Sequence, residues 1–227
     1  MKLEALFKPR SIAVVGASRE PEKVGHRIFR NLIDSGFPGG LYPINPKAVE
    51  IIGHKCYASI QQVSDDVDLA VIAVPAQIVP AIAEECGRKG VKAIVVISAG
   101  FSETGGDGTL LERELVTICR KYNMRMQGPN CLGIINTQNH MNASFAGANP
   151  LSGRIAFVSQ SGALGSTILN WAFQNEVGFT SFISLGNEAD LQASEFIEAL
   201  ADDKVIRVIG LYVEGVKDGR KFLDTAR

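Results

Sequence analysis

Residues 155–165, Ile-Ala-Phe-Val-Ser-Gln-Ser-Gly-Ala-Leu-Gly, are the stretch best suited to chemistry. The apolar run at 155–158 breaks into Ser159, Gln160, Ser161 and Gly162, then resumes with helical spacing through Ile168, Leu169 and Ala172. A strand that turns directly into a helix leaves the first helical N–H groups unpaired, and small residues let an anion approach them. The junction is built to hold phosphate. Serine is also a preferred N-cap, so an ordinary capped helix is the alternative.

Other turns share this character. Gly16-Ala17-Ser18, followed by Lys23-Val24-Gly25, suits a nucleotide pyrophosphate. It is not a G-x-G-x-x-G pattern, and a tight packing turn explains it equally. Tyr42-Pro-Ile-Asn-Pro-Lys47 lacks the acid that a ribose hydroxyl asks for and offers a lysine instead. A lysine there favours an extra phosphate, as in coenzyme A or NADP, or is simply a solvated turn residue. Val74-Pro75-Ala76 leaves a smooth apolar wall, and Ser98-Ala-Gly-Phe-Ser-Glu103 is a small-residue turn. That turn could admit an adenine or a pantetheine arm, or reflect close packing. Asn187, Glu188 and Asp190 are spaced to cap a helix, and Glu214 ends an apolar run as a capping anion or an orienter of a catalytic group. The three histidines, His26, His54 and His140, have no evident partners. Cys131, after Pro129-Asn130, reads as a buried structural thiol rather than a nucleophile.

These turns require a particular scaffold. Apolar runs at 12–16, 41–45, 67–74, 91–98 and 124–127 alternate with helical patterns at 24–34, 76–89 and 108–122. Continuous Val/Ile runs between helices indicate strands buried on both faces, hence parallel sheets. Runs at 155–158, 179–184 and 205–213 repeat the scheme. The expected organisation is a domain at 1–127, a Gly/Pro/Asn-rich linker at 128–150 and a second domain at 151–227. Three strands are few for a doubly wound domain, so the second is expected to be partial.

At 227 residues, 46% hydrophobic and 21% charged, the chain is globular in composition. Lys+Arg 23 against Asp+Glu 24 gives a net charge of -1, which offers nothing to nucleic acid or an anionic membrane. No apolar run is long enough to span a bilayer. The four cysteines have neither disulfide-type nor zinc-type spacing, so no metal site and a reducing, cytoplasmic setting are expected.

Taken in order, Ser11-Ile-Ala-Val-Val-Gly-Ala-Ser18, Ile44-Asn-Pro-Lys47, Ser98-Ala-Gly-Phe-Ser-Glu103, Gly128-Pro-Asn-Cys-Leu-Gly133, Ser159-Gln-Ser-Gly162, Gly186-Asn-Glu-Ala-Asp190 and Tyr212-Val-Glu-Gly215 resemble the NDP-forming (ADP-forming) acyl-CoA synthetases, relatives of the succinyl-CoA synthetase alpha subunit. The resemblance implies an α/β fold: a Rossmann-like CoA-binding domain followed by a partial flavodoxin-like domain, both with parallel sheets. It implies that Gly16, Ser18, Val24 and Gly25 hold nucleotide phosphates and that Lys47 pairs with a phosphate of coenzyme A. Pro75, Ser98, Ala99 and Gly100 would line the coenzyme's path, with Asn130 and Cys131 near its thiol end. Ser161, Gly162 and Ala163 would bind the phosphate that attacks the acyl thioester, and Glu214 would orient a phosphohistidine. The family reaction is acyl-CoA + ADP + phosphate to carboxylate + ATP + CoA, through an acyl phosphate and that phosphohistidine. The family's histidine turn lies past the Glu-Gly motif and is absent from this sequence, as is the ATP-grasp portion, a beta subunit or fused domain, that would hold ADP or ATP with Mg. The chain alone is therefore expected to be incomplete and inactive, and to work in an oligomer on a small carboxylic acid or acyl-CoA. Two alternatives remain: an acyl-CoA-sensing regulatory module of a synthetase-like protein acetyltransferase, and an NAD(P)-binding Rossmann protein.

Overall fold

The computed structural model of the chain describes residues 3–147 and 149–227. A short helix α1 (Glu4–Phe7) leads into β1 (Ser11–Val15), buried along its whole length. Then follow α2 (Val24–Asp34), β2 (Gly40–Ile44), a small hairpin of β3 (Glu50–Ile51) and β4 (His54–Lys55), β5 (Leu69–Ile72), α3 (Val79–Lys89), β6 (Ala93–Val96), α4 (Gly106–Lys121) and β7 (Arg125–Gln127). The first sheet has the order β2-β1-β5-β6-β7, and every pairing in it is parallel. This is the flavodoxin-type winding, whose direction reverses between β1 and β5. β1, β5 and β6 show no exposed residue because helices cover both faces, which is why their sequences carry no polar alternation.

The second sheet departs from expectation. β8 (Gly133–Asn136) and β9 (Met141–Ser144) precede β10 (Ser152–Ser159), α5 (Gly162–Gln174), β11 (Phe179–Ser184), α6 (Ala193–Ala201), β12 (Val208–Tyr212) and α7 (Gly219–Thr225). The order is β12-β10-β11-β8-β9. β10 pairs in parallel with β11 and β12, but β8 lies antiparallel to β11 and to β9. The sheet is therefore mixed, not parallel throughout. Residues 128–150 supply two of its strands, whereas the sequence pattern suggested a linker. The pattern misleads because the strands bury polar side chains whose partners come from elsewhere in the fold as well as from the strands themselves. Asn142 donates to Asn149, Ser144 donates to Asn142 at 2.6 Å, and Asn136 donates to the Phe7 carbonyl at 2.9 Å. Four-residue strands in which Asn136, Asn142 and Ser144 are buried beside Ile134, Ile135, Met141 and Ala143 are too short and too polar to stand out from a loop.

Both halves feed one apolar cluster. Phe7, Ile12, Ile28 and Phe29 from the first join Ile134, Ala143, Ile183 and Phe196 from the second. Among the described residues no helix is long and apolar enough to cross a membrane.

Candidate active site

Each sheet brings its carboxyl-end turns to a common cleft of about 1080 Å³. In the first sheet the turns after β1, β5 and β6 meet around the point where the winding reverses. Gly16 stands at φ +90, and a Cβ on it would overlap the Ala73 carbonyl oxygen. A Cβ on Gly25 would overlap the carbonyl oxygen of Gly16. The two glycines let the start of α2 press onto the end of β1. Ser98 Oγ donates to the Val74 carbonyl at 2.5 Å and the Ser98 carbonyl accepts from Asn130 N–H at 2.9 Å, so three turns are locked together.

The second sheet reverses direction between β10 and β12. Gln160, the first residue past β10, donates its N–H to the Tyr212 carbonyl at 3.0 Å. Ser161 is the N-cap of α5 and its Oγ accepts from Leu164 N–H at 3.3 Å. The capping alternative is thus part of the arrangement. It leaves the Gly162 and Ala163 N–H groups of the first turn with no intrahelical acceptor, at residues that line the cleft. Glu214, just past β12, also lines the cleft.

The 186–191 segment runs along 126–130. Asn187 and Ala189 donate to the carbonyls of Pro129 at 2.9 Å and Gly128 at 3.0 Å. A Cβ on Gly186, at φ +62, would overlap the Pro129 carbonyl oxygen. The Asn187 side chain reaches back to the first half, donating to Glu103 at 2.6 Å and Glu112 at 2.8 Å. Burial works to raise the Glu103 carboxyl, but the bonds from Asn187, Gly100 N–H and Phe101 N–H outweigh it and hold it below the ordinary glutamate range.

The chain matches the family model "CoA binding domain" over residues 10–137, more than half its length, and "Succinyl-CoA ligase like flavodoxin domain" over 152–227. The chain belongs to the CoA-binding domain family. Its similarity to whole proteins agrees. It is 51% identical over 225 residues to an acetate–CoA ligase [ADP-forming] I of Archaeoglobus fulgidus, covering 99% of this chain and 33% of the relative. It is 46% identical to the acetate–CoA ligase [ADP-forming] I subunit alpha of Pyrococcus furiosus, covering 100% of this chain and 50% of that one. A solved structure from Ca. Korarchaeum cryptofilum, a dinucleotide-forming acetyl-coenzyme A synthetase 1 in complex with phosphate and ADP, aligns with a TM-score of 0.95 at 45% identity, over 99% of this chain and 48% of that one. The chain thus spans a third to a half of the length of these relatives.

Within the CoA-binding family framework, the residues expected to meet ligand fall into two groups. Val24, Ser98, Ala99, Asn130, Cys131, Gly162, Ala163 and Glu214 line the one cleft. Gly25, Pro75, Gly100 and Ser161 are chain neighbours of lining residues, Gly16 packs against the lining residue Ala73, and Ser18 lies in the same turn as Gly16 but does not line the cleft. Lys47 stands apart, exposed on the turn after β2. Cys131 is 4% exposed and donates to the Val96 carbonyl at 3.3 Å; burial pushes its thiol up to about 12, so it stays protonated at neutral pH. His26, His54 and His140 are not among the lining residues. His26 Nδ1 lies 2.8 Å from the Ser18 carbonyl, and His54 packs edge-on against Phe29.

Sequence reasoning missed the cleft roles of Gln160, Asn187, Glu188 and Lys217. Of the expected helix caps, Glu188 accepts from Ala193 N–H at the start of α6, while Asp190 instead binds Arg125 Nε at 3.0 Å and Met126 N–H at 2.8 Å. Gln160 and Glu188 are 28 residues apart, Arg125 and Asp190 65, and Asn187 and Glu103 84, distances that no local pattern reports.

Proposed function

We propose that this chain is the CoA- and phosphate-binding part of an ADP-forming acyl-CoA synthetase. The observation that carries the reading is the meeting of two sheet-reversal points in one cleft. One end offers the small-residue turns at Val24, Ser98 and Asn130, and the other offers the α5 N-terminus and Glu214. The residues fit the coenzyme: close-packed glycines hold bare backbone at the start of α2, and Ala73, Val74 and Ile97 give an apolar wall for a slender arm. Bound coenzyme A would supply the thiol that carries the acyl group as a thioester.

In this reading the chain's own groups bind and orient. The Gly162 and Ala163 N–H groups hold inorganic phosphate through hydrogen bonds and the positive end of the α5 dipole. Holding it beside the thioester raises its effective concentration for attack on the acyl carbon, which gives an acyl phosphate and free thiol. Glu214 orients the histidine that then takes the phosphoryl group; in the family that histidine follows the Glu-Gly motif, and the ADP site belongs to a beta subunit or fused domain. The relatives' acetate–CoA ligase names point to a small carboxylate as the acyl group.

Titration calorimetry of the chain with coenzyme A and with NAD tests the reading. Binding of coenzyme A with a 1:1 stoichiometry and no heat from NAD is expected. NAD binding without coenzyme A binding overturns it. Radiolabelled ATP should leave no label on His26, His54 or His140.

A further inference from the structure

The Glu214 carboxylate makes no hydrogen bond to any described residue, so its place at the cleft is set by its backbone. That backbone is held by one amide side chain. Gln160 Oε1 accepts from Glu214 N–H at 2.5 Å and from Gly215 N–H at 3.0 Å, while Nε2 donates to the Gly215 carbonyl and to Glu188 Oε2, each at 2.7 Å. Two acceptor contacts and two donor contacts use the whole capacity of a glutamine amide. Reversing it would set Nε2 against two N–H groups, and only the correct orientation satisfies Glu188, which as a carboxylate accepts alone.

Glu188 is built to enforce that orientation. It is 5% exposed, its backbone sits at φ +53, and its second oxygen takes Ala193 N–H at 2.7 Å. A glutamate in the left-handed region costs on the order of 1 kcal/mol, so the surroundings must hold it there. Lys217 helps, with Nζ 2.9 Å from the carbonyls of both Asn187 and Glu188. The turn carrying Glu214 is thereby tied at both ends to the turn carrying Glu188.

We infer that Gln160 and Glu188 are positioning residues that set where Glu214 stands in the cleft. The inference deepens the proposed reading and rests on it for the role of Glu214. Glu188 faces Gln160 from the end of β10, Ala193 N–H and Glu195 from α6, and Lys217 from the turn after β12. Burial moves its carboxyl above the ordinary glutamate range, against the pull of Ala193 N–H, Gln160 and Lys217.

Nuclear magnetic resonance on the isotopically labelled chain tests this. In the unaltered chain the Gln160 side-chain amide signals should titrate with Glu188, at a midpoint above that of an ordinary glutamate, and Glu188→Gln should abolish that dependence. Glu188→Gln and Gln160→Leu should each speed exchange of the Glu214 and Gly215 amides by roughly tenfold, as expected for about one lost hydrogen bond. The Phe157 and Val158 amides in β10 should keep their protection. Wild-type exchange at Glu214 and Gly215 in both variants overturns the inference, as does uniform loss of protection across β10, which would make the pair merely structural. If leucine at 160 prevents folding, the near-isosteric Glu188→Gln and the titration of the unaltered chain still decide. Coenzyme A calorimetry on the unaltered chain stands apart: its failure sinks the functional reading and leaves the amide measurements intact.

Discussion

Lys47 has its backbone fixed and its ammonium free. Its N–H donates to Asn45 Oδ1 at 2.8 Å, and Asn45 Nδ2 donates to the Ala17 carbonyl at 2.7 Å. The turn after β2 is thus stapled to the turn after β1, while the lysine side chain has no partner among the described residues. A cation presented beside the turn after β1, proposed above to hold nucleotide phosphates, and spared from any ion pair, would be available to an extra phosphate. Lys47→Met should weaken coenzyme A binding by roughly tenfold while leaving dephospho-coenzyme A within twofold, the difference that one charge-assisted bond makes. Equal weakening of both ligands in calorimetry would assign the lysine to general electrostatics. The candidacy of Lys47 was visible from residue type and position in the β2 turn. The work of Gln160 was not, because its amide is defined by four partners that only the folded sheets bring together.

Elements report the packing that the turns depend on. Because a Cβ on Gly25 would overlap the Gly16 carbonyl oxygen, Gly25→Ala must push α2 off the end of β1. A loss of about 2–3 kcal/mol in urea unfolding is expected, at the upper end of overpacking costs because the obstacle is backbone. The start of β5 is fastened by Asp68, which accepts from Arg10 N–H at 3.0 Å, Arg10 Nε at 3.2 Å and Lys92 Nζ at 2.9 Å. Burial alone would raise this carboxyl, yet the bonds from Lys92 and Arg10 hold it at about 2. A depressed acid stabilises the fold above its unfolded value, near 3.9, and that contribution is lost as pH falls toward 2. The stability gap between the wild type and Asp68→Asn should therefore shrink by about 2 kcal/mol between pH 5 and pH 2. A gap independent of pH would show that Asp68 acts through shape and not charge. The β1, β5 and β6 strands were legible because burial on both faces leaves unbroken Val/Ile runs. β8 and β9 were not, because they are short and bury Asn136, Asn142 and Ser144 on polar partners, so their sequence looks like a loop.

At the scale of the whole chain, the antiparallel pair β8–β9 decides how the halves are joined. A flexible linker would leave two cores and two melting events. Instead β8 extends the second sheet, while Asn31 on α2 donates to the carbonyls of Ser144 and Ala146, both at 2.9 Å, and the Phe7 carbonyl takes Asn136 and Asn139. The apolar cluster passes through the same region without a break, from Phe29 to Ala143 and Phe196. On the far side, Arg125 on β7 binds Asp190 at 3.0 Å and Glu195 at 3.1 Å. Separating the halves would expose apolar surface and strand these polar groups together, so partial opening gains little entropy for a large loss. Calorimetry should show a single transition, with calorimetric and van't Hoff enthalpies equal. Arg125→Met removes one fastening and leaves the shared core, so it should lower that one Tm by roughly 3–6 °C without splitting it. Two resolved transitions, in the wild type or the variant, would mean that the halves are separate cooperative units and that the cleft between them opens freely.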